Sequence, residues 1–257
     1  MDATDPLAPF SGLRDRDYAR EGLLVCEGRI VLEKALDAGL ALKAVVCVPA
    51  DYDEWRSRTP ADAALIALPK PQLEAHIGFS FHRGVLALAE RPAPRPAAEA
   101  AASLPRGPAL VLWNVTDPDN LGTLIRSAAA LGAAAVYLGG GSADPYGRKA
   151  LRASMGNALT TPLFTLRDEA ELPLARGAGK NLLVAAALAD GALRPRDLAG
   201  PGDLTLVLGN EGWGLPRAAL AACDRLVELP MARGVDSLNV GAAGAILMWE
   251  LFGARLR

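Results

Sequence analysis

Glu211 stands in Leu204–Leu215, LTLVLGNEGWGL, where an apolar strand pattern runs straight into Gly-Asn-Glu-Gly-Trp-Gly. Three glycines within six residues permit positive φ and a close backbone approach to a ligand. A carboxylate among them, at the C-terminal end of a strand, is well placed to bind one. A plain tight turn is the alternative, although such turns rarely need so many glycines around an acid. The segment is no dinucleotide fingerprint, because no strand–GxGxxG–helix unit with a following ribose acid appears in order.

Two further segments carry polar residues at the start of helical patterns. In Asn114–Gly132, NVTDPDNLGTLIRSAAALG, the turn Asp117, Pro118, Asp119 has good helix-start chemistry, and Leu121, Leu124, Ile125, Ala128 and Leu131 then share one face. Asn120 and Arg126 are six residues apart, so they sit about 120° out of alignment unless Asn120 belongs to the preceding turn. Taken alone, this is a capped helix with a solvated arginine. In Leu229–Arg257, LPMARGVDSLNVGAAGAILMWELFGARLR, a proline-containing loop precedes Ser237 and Asn239, after which Val240, Ala243, Ile246, Leu247 and Leu251 have helical spacing. Asp236, Ser237 and Asn239 are all good capping residues, and by themselves they mark a helix start. Gly241 and Gly244 lower that helix's own stability but permit close packing, so something large or backbone-like is expected to cross it. Arg148, Lys149 and Arg152 fall together in DPYGRKALRASMGN, with Lys149 and Arg152 one turn apart if a helix begins there. Such a run is ordinarily a solvated face, and the functional alternative is phosphate contact.

The elements that must hold these residues read as an α/β protein. After Arg106 come apolar strands ALVLWNV, AAVYLG, LLVAAAL and LTLVLG, separated by the helical segments and by PRAALAAC, with a final long helix from about Asn239. Strands apolar throughout predict a parallel sheet with helices on both faces, which binds ligands at the C-terminal ends of its strands. Arg91–Arg106, RPAPRPAAEAAASLPR, has helix-breaking prolines and no apolar periodicity. Ahead of it, GLLVCEGRIVLEKALDAGLALKAVVCV, LIAL and GVLALA predict a small α/β unit. The expected division is a small α/β domain over 1–92, a Pro/Ala-rich linker over 93–106 and a second domain over 107–257.

Composition narrows the class. Of 257 residues, 51% are hydrophobic and the formal net charge is −2, so the chain folds in water without a global basic field, and a polyanion would bind only at local patches. Cys26, Cys47 and Cys223 are far apart and odd in number, which argues against a disulfide framework and against a zinc site, and a reducing cytoplasm is the expected setting. The acidic, polar start and the lack of any apolar run of membrane-spanning length point to neither export nor a membrane.

Together and in order, the three segments resemble the three motifs of the SpoU (TrmH-like) RNA ribose 2′-O-methyltransferases of the SPOUT superfamily. LLVCEGRIVLEKAL and HRGVLAL are similar, more weakly, to the small substrate-binding domain that many members carry. The resemblance implies a deep trefoil knot in the C-terminal domain, S-adenosylmethionine as cofactor, no metal, and a homodimer whose active site borrows residues from both subunits. It assigns Asn120 and Arg126 to the first motif, Glu211 to the second, and Ser237 and Asn239 to the third. The cofactor contacts it implies are Leu188, Leu208, Gly209, Asn210, Gly212, Leu229, Pro230, Met231, Ser237 and Leu238. The counterpart of Arg148, Lys149 and Arg152 lies beside the active site, where phosphate contact is expected. Family proposals make Arg126 the base, yet a guanidinium with a pKa above ~12 serves as readily by staying charged and orienting a phosphate. In the first unit Arg14, Arg16, Arg20, Arg83, His76 and His82 could touch RNA, although Asp15, Asp17 and Glu21 beside them suggest ordinary surface. The expected activity is methylation of a ribose 2′-hydroxyl, with ribosomal RNA favoured over transfer RNA. The rivals are a non-catalytic RNA-binding or assembly factor on an inherited fold and a nucleotide-dependent enzyme using the loop at 209–214.

Overall fold

Apolar runs become strands where both of their faces can be covered, and the intervening helices supply the cover. The computed structural model describes residues 7, 10, 15–78, 81, 84–100, 106–177, 181–189, 191–198, 203–235 and 237–253. Up to residue 100 the order is α1 (Asp15–Arg20), β1 (Leu23–Glu27), α2 (Arg29–Asp37), β2 (Leu42–Cys47), α3 (Tyr52–Arg58), β3 (Ala64–Ala67), α4 (Lys70–Ile77) and β4 (Val85–Glu90). There follow β5 (Ala109–Trp113), α5 (Pro118–Ala130), β6 (Ala135–Gly139), α6 (Arg148–Ala153), α7 (Asn157–Thr160), β7 (Leu163–Thr165) and β8 (Leu182–Ala186). The chain ends with α8 (Pro195–Leu198), β9 (Leu204–Leu208), α9 (Arg217–Ala222), β10 (Arg225–Val227) and α10 (Val240–Phe252). Among the described residues no helix is long and apolar enough to cross a membrane.

Two compact units result, Met1–Ala93 with Tyr146–Thr160, and Pro94–Pro145 with Thr161–Arg257. The first contains a four-stranded sheet in the order β1-β4-β2-β3, in which β4 runs antiparallel to β1 and β2, and β2 runs parallel to β3. Its core gathers Val25, Val46, Leu73, Phe81, Leu86 and Leu88, while α2 buries Val31, Leu32 and Ala35 through its three-and-four spacing.

This division differs from the one expected of the sequence in two places. Residues 146–160 belong with the first unit: the Arg152 guanidinium donates to Glu27 at the end of β1 at 3.0 Å, and a Cβ on Gly156 would fall 2.8 Å from the Cβ of Lys34 in α2. Those partners are more than a hundred residues away, beyond the reach of local spacing. The stretch 93–106 is also no free linker where it is described. Thr165 donates its amide to the Arg95 carbonyl at 2.8 Å, and Ala97 and Ala100 are buried in the second unit's core. Small alanines can pack without showing a periodic stripe.

The second unit holds a six-stranded, all-parallel sheet in the order β10-β8-β9-β5-β6-β7. β5, β6 and β9 are buried at every position, as expected of strands covered on both faces. From β5 the connection order runs outward through β6 to β7, whereas β8, β9 and β10 lie on the other side. The strand order therefore reverses between β5 and β9, the place where parallel sheets open a crevice at their C-terminal ends.

Candidate active site

The glycine-rich loop follows β9 and is closed on itself. Asn210 donates its amide to Gly214 O at 3.1 Å and accepts from Gly214 N at 3.0 Å. The glycines divide the work: a Cβ on Gly209 would lie 2.5 Å from the Gly214 carbonyl carbon, and Gly214 takes φ +68, whereas Gly212 shows neither constraint. The buried Asn210 side chain fixes the turn, with Oδ1 accepting from Gly212 N at 2.8 Å and Trp213 N at 3.3 Å. Its Nδ2 donates to the carbonyl of Asn114 at 2.8 Å, which ties the loop to the end of β5. Asn114 itself sits at φ 56, a left-handed conformation in which asparagine is among the more tolerant residues.

A chain of polar side chains joins the three sequence segments. Asp117 caps α5 by accepting from Asn120 N at 2.8 Å. Asn120 donates its Nδ2 to Glu211 Oε1 at 3.1 Å and accepts from Asn239 Nδ2 at 2.9 Å. Asn239 caps α10 by accepting from Ala242 N at 3.2 Å. Asparagine suits the middle of this chain because its amide both donates and accepts. Glu211 Oε1 also lies 3.4 Å from Asp117 N, while no described residue donates to Oε2.

Gly241 and Gly244 are where α10 meets α5 and β9. A Cβ on Gly244 would fall 2.3 Å from Leu124 Cδ2 and 2.7 Å from Leu208 Cδ1, and one on Gly241 would fall 3.0 Å from Asn239 Oδ1 and 3.5 Å from Thr123 Cγ2. Side chains, those of α5 and β9 at Gly244 and the Asn239 cap with Thr123 at Gly241, therefore occupy the space those glycines leave, rather than a crossing backbone.

Beside Glu211 opens a cleft of about 410 Å³ at the C-terminal ends of β8, β9 and β10. Its lining includes Leu188, Leu208, Gly209, Asn210 and Gly212, together with Leu229, Met231, Ser237 and Leu238. Pro230 does not line this cleft but a separate hollow with Pro195 and Ile246, to which Leu229 also contributes. Sequence reasoning did not assign Ala186, Trp213, Val227 or Glu228 to the cofactor, and it read Val240, Ala243 and Leu247 only as the apolar spacing of a helix; all of these also line the cleft.

Arg126 stands apart. Asn120 lies within the first turn of α5, so the angular offset between the two applies, and the Arg126 side chain is exposed without lining the cleft. No described residue makes a hydrogen bond or ion pair with it. In the first unit, Arg148 donates its backbone N and its Nε to Asp15, both at 2.9 Å, and Arg152 pairs with the largely buried Glu27. Lys149, between them on α6, is exposed. Arg16 and Arg20 lie 3.8 Å from Asp17, and His76 Nε2 is 2.7 Å from Leu7 O. Arg14, His82, Arg83 and Asp236 lie outside the described residues.

The cysteines take no part in this site. Burial pushes the thiol of Cys26 up to about 12 and those of Cys47 and Cys223 up to about 11, so all three are held as thiols at neutral pH.

Comparison with known proteins converges on one family. The model of the SpoU rRNA methylase family matches residues 107–249. An uncharacterized tRNA/rRNA methyltransferase of Mycobacterium bovis is 35% identical over 238 residues, covering 90% of this chain and 81% of the relative. The 23S rRNA (guanosine-2′-O-)-methyltransferase RlmB of a Burkholderia species is 35% identical over 200 residues, covering 77% and 80%. In three dimensions the chain is similar to an AdoMet-bound rRNA methyltransferase from Sinorhizobium meliloti, with a TM-score of 0.81 at 26% identity over 95% of this chain and 91% of the other.

Proposed function

Because this chain belongs to the SpoU rRNA methylase family, we propose that it transfers a methyl group from S-adenosylmethionine to a ribose 2′-hydroxyl of RNA, with ribosomal RNA as the substrate. The observation that carries this reading is the Glu211–Asn120–Asn239 chain, which gathers three distant segments at the mouth of a cleft. The likeness to RlmB supports the ribose hydroxyl and ribosomal RNA, and the AdoMet-bound relative supports the cofactor.

The cleft fits that cofactor chemically. Its volume of about 410 Å³ lies in the range of small-molecule sites. Leu188, Leu229 and Leu238 offer apolar walls for a purine, and Gly209 lets the backbone approach closely. Glu211 and Glu228 place carboxylates along a wall facing a cationic ligand. When bound, S-adenosylmethionine would supply an electrophilic methyl on its sulfonium and leave as the neutral thioether, with the hydroxyl proton passing to the Glu211 carboxylate.

The protein's part is alignment and charge. Oε1 of Glu211 is occupied by Asn120, which fixes the carboxylate and leaves Oε2 to accept the hydrogen of the ribose hydroxyl. Ser237, exposed on the cleft wall, is a second polar group for the cofactor or the ribose. Arg126 does not line the cleft of its own chain, and the reading assigns it to the site of a second subunit, where it stays charged, orients the substrate phosphate and stabilises the developing alkoxide. A homodimer is supported by the exposed apolar strip of Ile246 and Trp249 on α10, 44% and 53% accessible. The family's deep knot belongs to this reading, as does a cytoplasmic setting. The first unit, with Lys149 and the neighbouring Arg148 and Arg152, is assigned to RNA contact.

The test is methyl transfer from labelled S-adenosylmethionine to ribosomal and transfer RNA, followed by mass mapping of the modified ribose. Arg126→Ala is expected to abolish transfer while cofactor still binds in calorimetry. Near-normal turnover in that variant overturns its assignment, and cofactor binding with no methylated RNA from the native protein favours a non-catalytic factor.

A further inference from the structure

Trp213 is 78% accessible, the most open of the large apolar side chains among the described residues. A tryptophan left in water forgoes the burial of a large apolar surface, and here it does so in a loop whose backbone is pinned. Its backbone N–H donates to Asn210 Oδ1 at 3.3 Å, and the Asn210–Gly214 pair closes the turn around it. The open ring is therefore held on a rigid base. It also lines the cleft and follows Glu211 by two residues. Two residues of chain span at most about 7 Å. The apolar strip on α10 is a different feature, since Trp249 and Ile246 there are helical neighbours, whereas Trp213 is flanked by Gly212 and Gly214 and offers a single flat face.

Resting on the reading of this site as a ribose 2′-O-methyltransferase, we propose that Trp213 stacks on the nucleobase of the nucleotide being methylated. The base is attached to C1′, next to the carbon that carries the reacting hydroxyl. When that hydroxyl reaches Glu211, the base must lie within a few ångströms of the loop that carries Trp213. Base-on-indole stacking tolerates every base, because each has a π face, so this residue supplies affinity and orientation while sequence is read elsewhere. Unstacked bases of single-stranded or looped RNA are the ones it can take.

Trp213→Ala, Trp213→Leu and Trp213→Phe separate stacking from apolar bulk. With an in vitro transcript of 23S ribosomal RNA, the Ala and Leu variants should raise KM for RNA about tenfold, on the scale of one lost base stack. Because Trp213 also lines the cofactor cleft, KM for RNA is read at saturating S-adenosylmethionine, and Trp213→Phe should recover most of the loss, since a phenyl ring still offers a face. Tryptophan fluorescence of the native protein should be quenched by the transcript, and that quench should vanish in Trp213→Phe. If Leu restores KM as well as Phe does, or if the loss falls on cofactor affinity or on dimerisation in sedimentation, the proposal is overturned while the methyltransferase reading stands. If the native protein binds cofactor but methylates neither the transcript nor transfer RNA, that reading fails and takes this proposal with it.

Discussion

Gly209→Ala tests whether the loop geometry rather than the mere presence of the motif makes the cleft. The added Cβ would lie 2.5 Å from the Gly214 carbonyl carbon and 2.7 Å from both Gly214 O and Leu215 N. Carbon contacts relax at about 3.5–4.0 Å, so the two strands of the loop must part by roughly 1 Å. All three clashing atoms are backbone, so no rotamer change relieves them. The Asn210–Gly214 pair, with bonds of 3.1 and 3.0 Å, is the part that gives way. Two net hydrogen bonds are worth about 1–3 kcal/mol, against which the alanine recovers about 0.4–1 kcal/mol of unfolded-state entropy. The expected net loss is about 1–2 kcal/mol, a fall of roughly 2–8 °C in Tm for a unit of this size. Because Leu208, Asn210 and Gly212 line the cleft, the displacement should also cost S-adenosylmethionine affinity about tenfold or more. Calorimetric titration and scanning calorimetry read both effects. Unchanged Tm with cofactor affinity within twofold would refute the account of why glycine stands here.

Gly244→Ala opposes local propensity to packing: the helix alone should gain about 1 kcal/mol, but the new methyl would fall 2.3 Å from Leu124 Cδ2 and 2.7 Å from Leu208 Cδ1, both buried. Overpacking of that kind costs about 1–3 kcal/mol, so the urea midpoint should fall, and a rise would show that α10 has room. Asn120→Ala cuts the chain at its middle, freeing Glu211 and Asn239; kcat should drop at least about tenfold with cofactor affinity near native, since Asn120 does not line the cleft. Parallel loss of cofactor binding would contradict that separation. In the second unit, a hydrogen bond from Arg176 holds the Asp224 carboxyl below its ordinary value near 3.8. A depressed folded pKa stabilises the protein above that ordinary value and ceases to do so as pH falls through the folded one. Asp224→Asn should therefore flatten the acid limb of stability below about pH 4, as urea midpoints at pH 7 and pH 3 would show; an unchanged acid limb would remove Asp224 from the account.

Much of the scaffold was legible in local sequence. β5, β6, β8 and β9 were visible because a strand buried on both faces must be apolar throughout, and α5 and α10 because Asp117 and Asn239 are capping residues followed by helical spacing. The edge strands β7 and β10 escaped, being three residues long with no pattern to repeat. The turns of 3-10 helix over Glu169–Arg176 also escaped, carrying an internal proline that argues against any helix.

What the chain could do chemically was written in its residue types: a carboxylate in a glycine-rich turn, amides at two helix starts, an arginine six residues beyond one of them. Which of these meet was decided by tertiary structure. Asn120 and Asn239 are 119 residues apart and touch only because α10 packs on α5 through glycines that leave space for Leu124 and Leu208. Arg126 is turned away from Asn120 by the helical repeat itself, and Arg148 and Arg152 meet Asp15 and Glu27 of the first unit. Local spacing dictates what each segment can become, since it acts through the backbone's own periodicity. Partners come from burial and packing between segments far apart in the chain, and those no local pattern encodes.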